Sequence, residues 1–199
     1  MCIAAISREG GFSEDELRAF FLVNQDGGGY AWADGDGKVN IIRHINNIED
    51  YVNTGKKLAI HKNLMTHCRI ATVGTRTLEN AHPFPLLGYK AALCHNGTFF
   101  HHVPGHLQSD TAHIVENAEK LLGEESLMTP EVVKEVQKVV GTYNKIIILY
   151  GSGNFVLINE DAGHWSADLK RWYSNTYWQY RANSEKVARE ALEKGIIKA

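Results

Sequence analysis

The chain has 199 residues, 44% hydrophobic and 22% charged, the composition of an ordinary soluble globular protein long enough to bury a core as one domain over residues 1–199. A formal net charge of −2 leaves no basic footprint for nucleic acid and no acidic tail. Three cysteines, Cys2, Cys68 and Cys94, are odd in number and form no C-x-x-C pair, and no apolar run reaches the length of a membrane span or signal peptide; together these exclude a disulfide framework and point to a reducing, cytoplasmic setting.

Residues 2–7 read as a buried strand stopped by Gly10-Gly11. Ser13-Glu14-Asp15-Glu16 has the S-x-x-E pattern of a capping box, and Leu17, Phe20 and Phe21 follow at helical spacing, which predicts a helix from Ser13 to Val23. Three glycines at 27–29 break it and permit positive φ. Tyr30–Ala33 and Lys38–His44, joined by Asp34-Gly35-Asp36-Gly37, predict a hairpin. A short helix over Asn47–Thr54 precedes a strand over Leu64–Ala71. The stretch from Thr75 to Pro85 reads as loop, and Tyr89–Cys94 as a strand that stops at His95-Asn96-Gly97.

Ser109 or Asp110 caps a helix running through Ala118 and Leu122, and Pro130 opens another whose stripe is Val132, Val133, Val136, Val139 and Val140. Lys145–Tyr150 and Asn154–Ile158 are strands joined by Gly151-Ser152-Gly153, Arg171–Asn175 is a last strand, and Asn183–Lys194 a terminal helix. Strands at both ends, helices between them and abundant hairpins suggest an α+β fold of two antiparallel sheets with helices outside.

Four stretches carry residues that packing alone explains poorly. Cys2 becomes the N-terminal residue if Met1 is removed, and then carries a thiol and a free α-amine on one Cα. Such an amine titrates at about 7.7–8.0 and can act as a base near neutrality, so the residue holds nucleophile and base together. The plainer alternative is a small apolar residue starting a buried strand. Arg69 ends an apolar strand, where a guanidinium either pairs with a carboxylate of the protein or awaits an acidic ligand. Asn96-Gly97 is either a turn or a pair of N–H donors, from the side-chain amide and the glycine nitrogen, for an oxyanion of acyl transfer. Ser109-Asp110-Thr111 is either a helix cap or a carboxylate available to an ammonium group.

Two other patterns lead nowhere. Among ten histidines, His95, His101, His102 and His106 match no zinc spacing, so no metal is expected. Glycines 27–29 are followed by a strand, with no Lys-Ser/Thr, and form no phosphate loop. No cofactor is expected.

Taken in order, Cys2, His67-Cys68-Arg69-Ile70-Ala71-Thr72-Val73-Gly74, Asn80-Ala81-His82-Pro83, His95-Asn96-Gly97 and Ser109-Asp110-Thr111 resemble the glutaminase domain of class II glutamine amidotransferases, of the N-terminal-nucleophile hydrolase superfamily. That pattern has a cysteine right after the initiator methionine, then H-x-R-x-A-T-x-G, N-A-H-P, H-N-G and S-D-T. The matches span the first 110 residues or so. The resemblance implies a four-layer αββα sandwich and hydrolysis of glutamine to glutamate and ammonia through a γ-glutamyl thioester.

By the same resemblance Cys2 is the nucleophile and, with Met1 removed, its amine the base. Asn96 and Gly97 form the oxyanion hole, Arg69 with Thr72 holds the substrate α-carboxylate, and Asp110 holds the α-ammonium. His82, like His95, either shapes the substrate pocket or completes hydrogen bonds in its loop. The pattern departs at Ile70, where an aromatic is frequent, at Val73, where some members have a polar residue, and at Ala112, where a glutamate is common. The resemblance further implies an ammonia-accepting synthetase or transferase, expected on a separate chain. Two other functions stay open: an amidohydrolase for a different amide, and a non-catalytic subunit that keeps the fold.

Overall fold

The computed structural model describes residues 2–44, 47–99, 107–118 and 129–184. Leu122, His101, His102, His106 and the expected terminal helix beyond residue 184 lie outside them. Within them the order is β1 (Ile3–Ser7), α1 (Glu14–Val23), β2 (Gly28–Ala33), β3 (Val39–His44), α2 (Ile48–Leu58), β4 (Leu64–Cys68), β5 (Phe84–Leu86), β6 (Ala91–Asn96), α3 (Asp110–Ala118), α4 (Pro130–Val140), β7 (Lys145–Tyr150), β8 (Phe155–Ile158), β9 (His164–Trp165), β10 (Arg171–Tyr173) and a helix over 177–184.

The strands form two antiparallel sheets, ordered β3-β2-β4-β1-β10-β9 and β5-β6-β7-β8. β1 lies inside the larger sheet, between β4 (Ile3 opposite Cys68) and β10 (Ala5 opposite Tyr173). Period-two alternation sorts side chains into layers. Ile3 and Ala5 of β1 pack with Leu17, Phe20, Tyr51 and Val52 of α1 and α2. Ala4 and Ile6 face the other way and meet Ala92, Cys94, Ile147 and Leu149 of the second sheet. Leu93, Ile146 and Ile148 point outward from that sheet, under Ala112 and Val115 of α3 and Val132, Val136 and Val140 of α4. The result is the expected α-β-β-α layering. Ile147 and Leu149 are fully buried, and burying each contributes about 1.5–3 kcal/mol.

Local signals hold where they have a mechanism. Ser13 and Glu16 make the reciprocal capping box of α1, and Thr129 caps α4 ahead of Pro130. Several boundaries move. The helix after Asn47 continues to Leu58, and the strand from Leu64 ends at Cys68, beyond which the Arg69 N–H donates to the Gly27 carbonyl and its carbonyl accepts from Asp26, out of the one-to-one register. β5 overlaps the end of the stretch expected to be loop; it is short, contains Pro85, and exists by pairing with β6. Of glycines 27–29 only Gly27 has positive φ; Gly28 and Gly29 are strand residues. They are small because the backbone is crowded there: a Cβ on Gly29 would sit 2.3 Å from the Ile42 carbonyl oxygen.

Candidate active site

The alternation that builds the core also aims the site. Continued one residue before β1, it turns Cys2 to the side of Ala4 and Ile6, between the sheets. In β4 it turns His67 inward beside Met65, with Arg69 next in phase. In β6 it turns Asn96 inward after Ala92 and Cys94. The start of β1 and the ends of β4 and β6 therefore meet at one end of the sandwich; hydrogen bonds join β4 to each of the other two, and Ser174 links β1 to β6.

Cys2 is half-buried. Its Sγ accepts the Ile70 N–H at 3.3 Å, and Asn175 Nδ2 donates to its carbonyl at 2.7 Å. Burial pushes the thiol above its ordinary value, outweighing the opposing influence of the Ile70 contact and of Arg69. With Met1 attached the thiol therefore rests protonated near neutrality, and using it as a nucleophile requires a base.

Arg69 is 3% exposed. Of the two alternatives, the pairing with a carboxylate is not what forms: among the described residues none comes within ion-pair distance. Its Nη1 donates to the Thr75 carbonyl at 2.8 Å and its Nη2 to that of Val73, so two of five donors hold the loop that follows it. Burial lowers its pKa, while Cys2, Asp26 and Asp110 act in the other direction. Thr72 sits exposed in this loop. The loop is tied down at a residue the sequence reading missed, buried Asp26, whose Oδ2 accepts the Ala71 N–H at 2.7 Å and whose Oδ1 meets Arg76 Nε at 2.9 Å. An aspartate in a glycine-rich turn carries no signal of that role.

The end of β6 is held from several sides. Asn96 Nδ2 donates to Ser174 Oγ at 2.8 Å, and the same oxygen accepts the Ala4 N–H at 2.9 Å, two residues from Cys2. The main chain of His95 is gripped by two imidazoles: His67 Nε2–H donates to its carbonyl at 2.9 Å, and its N–H donates to His82 Nδ1 at 3.1 Å. The rings of His67 and His82 stack 4.0 Å apart. Between the two possibilities for His82, the bond it completes is this one.

The His95 ring points the other way, to the α3 layer. Asn144 Nδ2 donates to the Val140 carbonyl, so its Oδ1 accepts from His95 Nε2–H at 2.8 Å, and His95 Nδ1 accepts from the Thr111 hydroxyl at 2.8 Å. This pair explains Gly97, since a Cβ there would lie 2.1 Å from Asn144 Oδ1 and 2.8 Å from His95 Nε2. Burial holds all three histidines neutral; His67 is lowered to about 3.

Asp110 opens α3. Its Oδ2 accepts the Phe99 N–H at 2.8 Å and its Oδ1 the Thr111 N–H at 2.9 Å, while Ser109 Oγ accepts from Ala112 N. Asn80 joins the segments: its Oδ1 accepts the Ser109 N–H and its Nδ2 donates to the carbonyls of Thr75 and Leu107. The five sequence stretches are thus one hydrogen-bonded assembly. Among the described residues no group of three or more His, Cys, Asp or Glu side chains could hold a metal, and no helix is long and apolar enough to cross a membrane. The arrangement offers a thiol, an inward amide, a buried cation and a carboxylate, the parts needed for acyl transfer from a zwitterionic amide.

No protein-family model and no curated protein sequence matches the chain. Solved structures do. A glutamine phosphoribosylpyrophosphate amidotransferase from B. subtilis, complexed with ADP and GMP, superposes with a TM-score of 0.51 at 16% identity over 92% of this chain and 44% of that one. A structure described as the allosteric regulatory enzyme of purine biosynthesis gives 0.52 at 16% identity over 92% of this chain and 43% of that one. The chain shares their fold, the one its motifs implied, and it spans less than half the length of either.

Proposed function

We propose that this chain is a class II glutamine amidotransferase glutaminase, acting through Cys2 as an N-terminal nucleophile in a reducing, cytoplasmic setting. The observation that carries the reading is the meeting of Cys2, Arg69 and Asn96 on the inter-sheet side at one end of the sandwich. With Met1 removed, the Cys2 α-amine takes the thiol proton, directly or through a water. Sulfur attacks the side-chain amide carbon of glutamine, and the Asn96 amide and the Gly97 N–H stabilise the oxyanion. The amine returns its proton to the leaving nitrogen, the C–N bond breaks, and ammonia departs from a γ-glutamyl thioester. Water then adds, giving its proton to the amine, and the C–S bond breaks to release glutamate and restore the thiol.

Arg69, with Thr72, would hold the α-carboxylate using guanidinium donors that the Val73 and Thr75 carbonyls leave over. Asp110 would hold the α-ammonium, and His82 would serve through the His95 peptide. The ammonia would pass to a synthetase or transferase on a separate chain, which pull-down with tagged protein should recover. The primary test is ammonia release from glutamine by protein whose N-terminus is verified as Cys2 by mass spectrometry. Cys2→Ala should abolish turnover; wild-type rates from that variant would refute the mechanism.

One observation favours a second reading, an amidohydrolase for another amide: both Asp110 oxygens already accept main-chain N–H groups. Turnover of a γ-glutamyl amide lacking a free α-amine at the rate of glutamine would select it.

A further inference from the structure

Ser174 and Asn175, the two residues after β10, touch both halves of the candidate site. Ser174 Oγ accepts the Asn96 side-chain N–H at 2.8 Å and the Ala4 N–H at 2.9 Å, while the Ser174 N–H donates to the Ala4 carbonyl at 2.9 Å. A serine side chain thus replaces a main-chain acceptor at the end of the β1–β10 ladder, and its second lone pair is what meets Asn96. Ser174 is 1% exposed, so neither bond competes with solvent. Asn175 divides its amide: Nδ2 donates to the Cys2 carbonyl at 2.7 Å, and Oδ1 accepts the Tyr177 N–H at 3.2 Å at the start of the 177–184 helix. Its own carbonyl accepts from the indole of buried Trp178 at 3.1 Å.

We infer that Ser174-Asn175 is a positioning pair that sets the distance and orientation between the nucleophile at Cys2 and the oxyanion donors at Asn96-Gly97. The inference rests on the glutaminase reading. One β10 connection spans the gap between the sheets: its serine orients the Asn96 carboxamide and its asparagine fixes the Cys2 peptide from which the thiol projects. Neither residue needs to touch substrate. A misplacement of about 1 Å between reacting groups can cost on the order of 100-fold in rate, so such a gauge acts on kcat and leaves KM nearly alone.

Asn175→Ser is the decisive variant. It keeps a side-chain oxygen to accept from Tyr177, serine being as good a cap as asparagine, adds no charge, and is too short to carry a donor to the Cys2 carbonyl. Ser174→Ala removes the acceptor shared by Asn96 and Ala4. Glutamine kinetics and iodoacetamide alkylation of Cys2, followed by peptide mass spectrometry, are measured on both variants and wild type, with melting temperature as the folding control. Asn175→Ser is expected to melt near wild type, lose about tenfold or more in kcat with KM within about threefold, and alter the Cys2 alkylation rate at least threefold. Ser174→Ala is expected to lose kcat on the order of 10- to 100-fold while Cys2 alkylates at the wild-type rate.

If wild type turns over glutamine and Asn175→Ser, folded, does so within twofold of it, the pair is only structural and the inference falls. If wild type itself releases no ammonia, the glutaminase reading falls; the alkylation rate of Asn175→Ser still decides whether Asn175 positions the thiol.

Discussion

The Nε2–H of His67 donates to the main-chain carbonyl of His95 at 2.9 Å, bolting the end of β4 in one sheet to the end of β6 in the other. The bond by itself favours a protonated ring; it is burial that holds His67 neutral, and His82 and His95 beside it are held neutral by the same burial. It also makes the site answerable to pH.

An unfolded histidine takes up a proton below about pH 6.5, whereas folded His67 resists down to about 3. Between those values the unfolded state binds more protons, so stability is complete above about pH 6.5 and falls as pH is lowered. Each fully buried histidine contributes up to about 1.4 kcal/mol per pH unit. Urea midpoints between pH 7.5 and 5 should decline accordingly. His67→Gln, which can offer an amide N–H to the His95 carbonyl, should flatten the slope by about one proton.

Gly97→Ala should damage the site rather than merely stiffen it. Its Cβ would overlap the Asn144–His95 pair, and Asn144 is anchored by its own bond to Val140, so that pair can yield only by breaking. The expected result is a loss of about 1–3 kcal/mol from an unsatisfied buried group, and a fall in kcat of about 100-fold. Chemical denaturation and steady-state kinetics on one preparation check both.

Asn96→Ala removes one oxyanion donor and should lower kcat on the order of 10²–10³. KM for glutamine should stay within a few-fold, since the lost contact belongs to the transition state.

Arg69→Lys keeps the charge but not the fork. A single ammonium cannot hold the Val73 and Thr75 carbonyls and a ligand carboxylate together, so KM for glutamine should rise about tenfold or more. An unchanged KM would remove Arg69 from the carboxylate-binding role.

In protein that retains Met1, alkylation of Cys2 should rise with pH through a midpoint above the ordinary thiol value of about 8.5, because burial disfavours the thiolate. A midpoint near 7 would mean a pre-formed thiolate and no need for a base.

Much of this protein was legible along the chain. The apolar runs over residues 3–6 and 91–94, the Ser13 capping box and Pro130 are local physics, and local physics survives folding. The order of five short motifs marked out the candidate residues, because a thiol, a guanidinium and an Asn-Gly pair are chemically conspicuous wherever they stand.

What only the tertiary structure decided is how these groups are held. Ser174, Asn175, Asp26 and Asn144 are ordinary polar residues lying 78, 173, 45 and 49 positions from the partners they fix. No local pattern encodes such distant pairings, since each exists only once two sheets have packed and left a buried donor or acceptor to satisfy. β5 is strand for the same reason, by pairing with β6 despite its proline. The chemistry of the site is thus written in conspicuous residues, and its geometry in inconspicuous ones that packing brings to them.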